Sequence, residues 1–207
     1  MRFIGDIHGD ITGAYSAATR NCDESVQVGD FGMGFISPYI REVVDVFHTG
    51  NPTHRFIRGN HDDPAVCRLS PGWIEDGTYD ADREIMYIGG ARSIDTAIRT
   101  SGKNWWPDEE LSLIELERIR AAFVYFKPKV VVTHDCPRPV AESLFFAPPN
   151  DERPHIRTRT AEALDVMLRD HPPDLWVFGH WHESRQFKRN GTEFICLGIG
   201  EYKDISL

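Results

Sequence analysis

The chain has 207 residues, 41% hydrophobic and 27% charged, with a net charge of −9 from 32 acidic and 23 basic residues. These are globular proportions, sufficient for a sizeable core without covalent staples, and they exclude a disordered or collagen-like chain. No apolar run reaches the roughly 20 residues of a membrane helix, and MRFIGDIHGD has no basic stretch leading into an apolar one, so the cytoplasm is the expected address.

Residues 2–4 are apolar and stop at Gly5-Asp6-Ile7-His8-Gly9-Asp10, the pattern of a short strand ending in a Gly/Asp loop. Asp10 is placed to cap a helix over 11–20. A second strand, 25–28, ends at Gly29-Asp30 and leads into the Gly-rich stretch Phe31-Gly32-Met33-Gly34-Phe35. Pro38 opens a helix in which Ile40, Val43, Val44 and Phe47 recur at helical spacing. A third strand, 55–57, ends at Gly59-Asn60-His61-Asp62. Strand, polar loop and helix repeat in the manner of an α/β fold, which gathers sites at the carboxyl ends of its strands.

Farther along, 73–79 and 84–88 read as strands, the first with a turn at Asp76-Gly77. Residues 89–106 form a polar segment with Arg92, Arg99, Lys103 and the Trp105-Trp106 pair. Pro107-Asp108-Glu109-Glu110 reads as the start of a helix running to Phe126, its acids near the positive end of the dipole. Residues 129–132 form a β-branched strand ending at Thr133-His134-Asp135. Residues 136–154 hold five prolines and show no periodicity, so a long loop is expected, with Phe145-Phe146 in a lid or a surface excursion. A helix over 158–168 and a strand over 175–178 ending in Gly179-His180-Trp181-His182 come next. A hairpin of 185–188 and 193–197, turned at Asn190-Gly191, follows. No linker or repeat divides the chain, so residues 1–207 are expected to form one domain. Cys22, Cys67, Cys136 and Cys196 lie far apart and are expected to be reduced, outside any C-x-x-C motif.

The chemistry concentrates at five strand ends: Asp6 with His8, Asp30, Asn60 with His61, His134, and His180 with His182. Residues two apart in an extended segment share a side, so Asp6 and His8 could grip one cation, as could His180 and His182. Imidazole mixed with carboxylate suits manganese, iron, zinc or nickel, whereas calcium prefers oxygen alone. The ligands outnumber what one ion needs, and two ions sharing a carboxylate would use them all. Five of the nine histidines lie at these loops, and the others, His48, His54, His155 and His171, read as surface or packing residues.

The order Asp6-x-His8, Gly29-Asp30, Gly59-Asn60-His61-Asp62, His134, Gly179-His180-x-His182 resembles the calcineurin-like metallophosphoesterase family along essentially the whole chain. The resemblance implies an α/β fold, a four-layer αββα sandwich of two mixed sheets flanked by helices, with two divalent ions, manganese foremost, at the strand ends. Carried over by motif, Asp6, His8 and His182 would hold the first ion and Asn60, His134 and His180 the second, with Asp30 bridging. Attack by a hydroxide shared between the ions would hydrolyse a phosphate mono- or diester, with His61 facing the leaving group as a catalytic residue. Asp62 or Asp135 would either orient a histidine or cap a loop. The chain departs from the protein serine/threonine phosphatases after Asp30, where Phe31-Gly32-Met33-Gly34 lacks their histidine-supporting Asp and phosphate-clamping Arg.

The 89–106 segment is the expected substrate contact. Arg92, Arg99 and Lys103 oppose the negative total charge, and Trp105 and Trp106 could stack on a base or sugar, which admits a nucleotide as substrate; the alternative is that they pack the next helix. A nuclease or nucleic-acid end-processing phosphatase is the second expectation, although the acidic balance and the lack of a basic stripe disfavour long duplexes. A non-catalytic metal-binding scaffold is the third.

Overall fold

The computed structural model describes residues 1–145 and 157–207. Its strands are β1 (Arg2–Ile4), β2 (Ser25–Gln27), β3 (His54–Phe56), β4 (Tyr79–Asp80), β5 (Ile85–Ile88), β6 (Val130–Thr133), β7 (Leu175–Phe178), β8 (Arg185–Arg189), β9 (Thr192–Cys196) and β10 (Tyr202–Asp204). The helices are α1 (Ser16–Thr19), α2 (Pro38–Gly50), α3 (Pro64–Cys67), α4 (Leu113–Phe126), α5 (Arg138–Phe145) and α6 (Arg159–Asp170). One sheet has the order β10-β1-β2-β3 and the other β4-β5-β6-β7-β9-β8. Both are mixed: β1 to β3 are parallel with β10 antiparallel on the edge. In the second sheet β5, β6, β7 and β9 are parallel between antiparallel β4 and β8.

The central strands β5, β6 and β7 are apolar at consecutive positions because both faces of their sheet are covered. Side chains alternate between two cores at every residue. Ile85, Tyr87, Val130, Val132, Val177 and Ile195 join Phe3, Val26 and Ile57 between the sheets. Their neighbours Met86, Ile88, Val131, Trp176 and Phe194 point outward and pack with Leu116, Ile119 and Phe123 of α4 and Leu164 and Met167 of α6. On the far side, Ile4 and Phe56 pack with Tyr15, Phe31 and Val44 of α2. Three apolar layers therefore separate four layers of structure, the αββα arrangement. Each fully buried Val, Ile or Phe contributes about 1.5–3 kcal/mol.

Several elements depart from the sequence expectations. The helix after Asp10 begins as a π-helical turn over Ile11–Tyr15, with the Asp10 carboxylate accepting from the N–H groups of Gly13 and Ala14. Only Trp73 of the expected 73–79 strand bridges to Phe56, and pairing resumes at β4. The Asp76 carboxylate accepts from the Gly89 N–H and the Arg58 Nε, and Gly77 turns at φ 85°, so the chain bends there. The helix expected from Pro107 starts at Leu113, because the carbonyls of Asp108 and Glu109 are taken by Arg58. Ser112 and Glu115 form the capping box instead. The expected long loop contains α5, whose first turn tolerates Pro139 and buries Val140 and Ala141. The remainder of that loop, with Phe146, lies outside the described residues, and so does His155. His48 and His54 are buried, His171 is half-buried, and the four cysteines are free. Among the described residues, no helix is long and apolar enough to cross a membrane.

Candidate metal centre

The carboxyl ends of β1, β2, β3, β6 and β7 converge, and the five loops leaving them carry the residues singled out above. The chain is forced into unusual conformations there. Among the described residues, eight non-glycine positions have positive φ, and His8, Asp30, His180 and His182 are four of them. Left-handed backbone costs a non-glycine residue of order 1–3 kcal/mol and persists where the surroundings hold it, commonly at functional sites. Glycines allow the loops to meet: a Cβ on Gly59 would sit 2.1 Å from Asp30 Oδ1, and one on Gly179 would sit 2.2 Å from Asp6 Oδ1.

Asp6, His8, Asp30 and His182 each offer a ligand atom within 4.8 Å of the others. His182 Nε2 lies 3.3 Å from Asp6 Oδ2 and 3.0 Å from His8 Nε2. His8 Nδ1 is 3.8 Å from Asp30 Oδ2. The Asp6 carboxylate also accepts the His180 N–H, at 3.1 and 3.2 Å, which ties the β1 loop to the β7 loop. Its bond to His182 pushes that imidazole's pKa up.

A second group meets the other oxygen of Asp30. His134 Nε2 lies 3.2 Å from Asp30 Oδ1 and 3.1 Å from Asn60 Oδ1. His134 Nδ1 donates to the Val28 carbonyl at 2.9 Å, so its Nε2 is the nitrogen aimed into the site. His180 stands T-shaped to His134 with ring centroids 5.0 Å apart. Burial, then the facing His134, pushes the His180 pKa down to about 3, which keeps its lone pair free. Burial opposes charge on Asp30 and His134 as well. Their mutual attraction outweighs it, lowering the first pKa and raising the second.

This donor set fits divalent cations. Asp6 and Asp30 are 0% and 1% exposed, and among the described residues no Lys or Arg bonds to either carboxylate. The groups that face them are the imidazoles of His182, His8 and His134 and the backbone N–H groups of His180 and His61, and a bound cation would neutralise the buried charge. In the second group, Asn60 Oδ1 and Asp30 Oδ1 both face His134 Nε2, at 3.1 and 3.2 Å, and a cation bound between them would take the place of the proton that Nε2 otherwise carries.

His61 is half-buried at the edge of this centre, its N–H bonded to Asp30 Oδ1 at 2.7 Å. Its Nε2 accepts from an Arg99 guanidinium nitrogen at 2.8 Å. Arg99 is in turn held by Asp95, at 2.5 Å, and by the Asn104 carbonyl. Burial, with Arg99 adding to it, lowers the His61 pKa despite Asp30. Phe35, 44% exposed, stacks 5.8 Å from the His61 ring. Of the expected substrate contacts, Arg99 thus reaches the centre. Trp106 is 7% exposed and packs T-shaped against Phe35, so it buttresses the Phe35 loop. Trp105 is half-buried, and Arg92 and Lys103 are exposed.

The two open readings of Asp62 and Asp135 resolve towards the backbone. Asp62 accepts the N–H groups of Phe31, Gly32, Met33 and Gly59, and so clamps the β2 loop to the β3 loop. Asp135 accepts from the Cys136 N–H and the Thr158 hydroxyl. Two polar residues escaped the sequence reading. Ser93 Oγ accepts from Asn60 Nδ2 at 3.1 Å and donates to Glu109 at 2.6 Å. Glu109 stands in an acidic run that resembles a helix start, and Ser93 follows a Gly-Gly turn with no motif around it, so neither carried a signal.

The comparisons with known proteins agree with this fold. No curated protein matches the chain. Among solved structures, TT1561 of Thermus thermophilus is similar over 96% of this chain and 89% of its own, at 11% identity and a TM-score of 0.55. Phosphopantetheinyl hydrolase (PptH) of Mycobacterium tuberculosis is similar over 96% and 89%, at 17% identity and a TM-score of 0.55. GAP50 of Plasmodium, described as the anchor in the inner membrane complex, is similar over 97% and 72%, at 15% identity and a TM-score of 0.54. At these identities the likeness speaks for the fold alone. The family model for calcineurin-like phosphoesterase matches residues 2–184, and the chain belongs to that family.

Proposed function

We propose that this phosphoesterase hydrolyses phosphate mono- or diesters at a dinuclear centre, within one domain spanning residues 1–207. Asp6, His8 and His182 would hold one ion, and Asn60, His134 and His180 the other. The observation that carries this reading is the position of Asp30. Its Oδ2 faces His8 and its Oδ1 faces His134, so one carboxylate spans both groups of ligands. Manganese is the leading ion, with iron, zinc and nickel compatible with the same imidazole and carboxylate donors. Two divalent ions, when bound, supply an activated water and neutralise phosphate charge.

The chain's own residues do the rest. Arg99 and His61 place a guanidinium and an imidazole side by side at the rim, where the guanidinium would bind a phosphate oxygen through charge-assisted hydrogen bonds. His61 would face the leaving group. Arg99 thereby takes the place of the phosphate-clamping Arg missing after Asp30. Asp62 and Gly59 hold the Asp30 and Asn60 loops at contact distance.

The test uses chelator-stripped protein, reloaded with manganese and assayed on p-nitrophenyl phosphate and its bis-ester. Stripping should abolish turnover, and reloading should restore it on one of the two. Full activity after verified stripping, or inert protein holding two ions, would contradict the proposal. The second result would favour a scaffold.

A further inference from the structure

We propose that Ser93 and Glu109 are positioning residues that decide which end of the Asn60 amide faces the metal centre. This rests on Asn60 being a ligand, as proposed above. The three side chains are 3%, 2% and 4% exposed for Asn60, Ser93 and Glu109, so no bulk water competes for their bonds. Asn60 Nδ2 donates to Ser93 Oγ at 3.1 Å. Ser93 Oγ donates to Glu109 Oε2 at 2.6 Å, and the Ser93 N–H donates to Glu109 Oε1 at 2.9 Å.

The polarity of this chain of bonds is the point. The two ends of an asparagine amide are nearly the same shape, but only the oxygen binds a cation. A serine hydroxyl alone would not choose between them, because it can donate to the oxygen or accept from the nitrogen. A carboxylate has only acceptors. Glu109 takes the single hydroxyl proton of Ser93, which leaves Ser93 only a lone pair for Asn60. The Asn60 nitrogen must then face Ser93, and its oxygen must face His134 and Asp30. The frame around the relay is fixed independently. Arg58, two residues before Asn60, bonds Asp76 and the carbonyls of Asp108 and Glu109. The Gly90 N–H bonds the Arg58 carbonyl at 2.8 Å, so the β3 and β5 loops are joined on both sides of the relay.

Glu109→Gln tests the polarity at constant shape. The Gln oxygen would accept the Ser93 N–H and its nitrogen would donate to Ser93 Oγ. The Ser93 proton would then point at Asn60 and turn the amide nitrogen towards the centre. Ser93→Ala removes the relay without reversing it. The measurement is a manganese titration by calorimetry, resolving the two ions, on wild type, Ser93→Ala, Glu109→Gln, the double variant and Asn60→Ala. Glu109→Gln should weaken the second ion by about 10–100-fold, the range for groups that orient a ligand. Ser93→Ala should weaken it less. In the double variant the affinity should recover towards that of Ser93→Ala, while the ion held by Asp6, His8 and His182 keeps its wild-type affinity throughout. A merely structural Glu109 predicts additive losses, with the double variant worse than either, and that result would overturn the relay. So would wild-type affinity in Ser93→Ala, which serves alone should Glu109→Gln not fold. If Asn60→Ala itself keeps both ions at wild-type affinity, the ligand reading fails and the relay fails with it.

Discussion

Four backbone N–H groups converge on the Asp62 carboxylate, which is 0% exposed. Asp62→Ala would leave all four without an acceptor, and each buried orphan costs about 1–3 kcal/mol. The variant should therefore unfold at much lower denaturant, with a loss of about 3 kcal/mol or more, and an unchanged midpoint would contradict the clamp. Arg99→Ala should lower kcat/KM by about tenfold or more with metal content unchanged, because Arg99 touches His61 and no metal ligand of the proposed set. His61→Ala should keep both ions and lose about 10²–10⁴-fold in turnover, the scale of an acid or base group. That loss should be smaller for a nitrophenyl ester, whose leaving group needs little protonation. At this scale the motif residues were legible because each follows an apolar strand directly. The partners of those residues were not. Asp62 could be read as a histidine's support or as a cap, and only the folded loops show which N–H groups reach it.

At the scale of elements, α2 carries a pH-sensitive packing contact. His48 is buried, its Nε2 bonded to the Tyr15 hydroxyl at 2.8 Å across from Phe31 and Phe56. Burial, with His54 and Arg55 adding to it, pushes its pKa from 6.5 down to about 4. A depressed histidine favours the neutral form in the fold, so stability is complete above the unfolded value of 6.5 and falls as pH drops towards 4. The full effect is about 3 kcal/mol, at 1.36 kcal/mol per unit. Melting temperature should drop between pH 7 and pH 5 in the wild type and drop less in His48→Leu. An equal drop in both would assign the acid sensitivity elsewhere. The helix over Pro38–Gly50 was legible from its apolar spacing and Pro38. The capping box at Ser112 was overlooked because Pro107 and three acids ahead of it imitate a helix start. α5 was hidden by its proline-rich surroundings, and β10 by its brevity, since Tyr202, Lys203 and Asp204 gain strand character only by pairing with β1.

At the scale of the molecule, two sheets meet face to face and present the ends of five strands to one rim. The gathering of strand ends followed from the repeat of strand, polar loop and helix, and the two face-to-face sheets followed from the resemblance to the calcineurin-like family; strands such as Val130–Thr133 are apolar at consecutive positions because both faces are covered. How the loops interlock followed from no sequence pattern: Gly5 lies where a Cβ would be 2.1 Å from the Gly198 carbonyl, nearly two hundred residues away. The net charge of −9 suits a cation-loaded centre and a small ester better than long nucleic acid. In the proposed centre one carboxylate, Asp30, joins the two metal sites. Elemental analysis of wild type and Asp30→Asn, each loaded with manganese and desalted, tests it most directly. Two equivalents per chain in the wild type and less than one in the variant are the predicted result. Two equivalents retained by Asp30→Asn would contradict it.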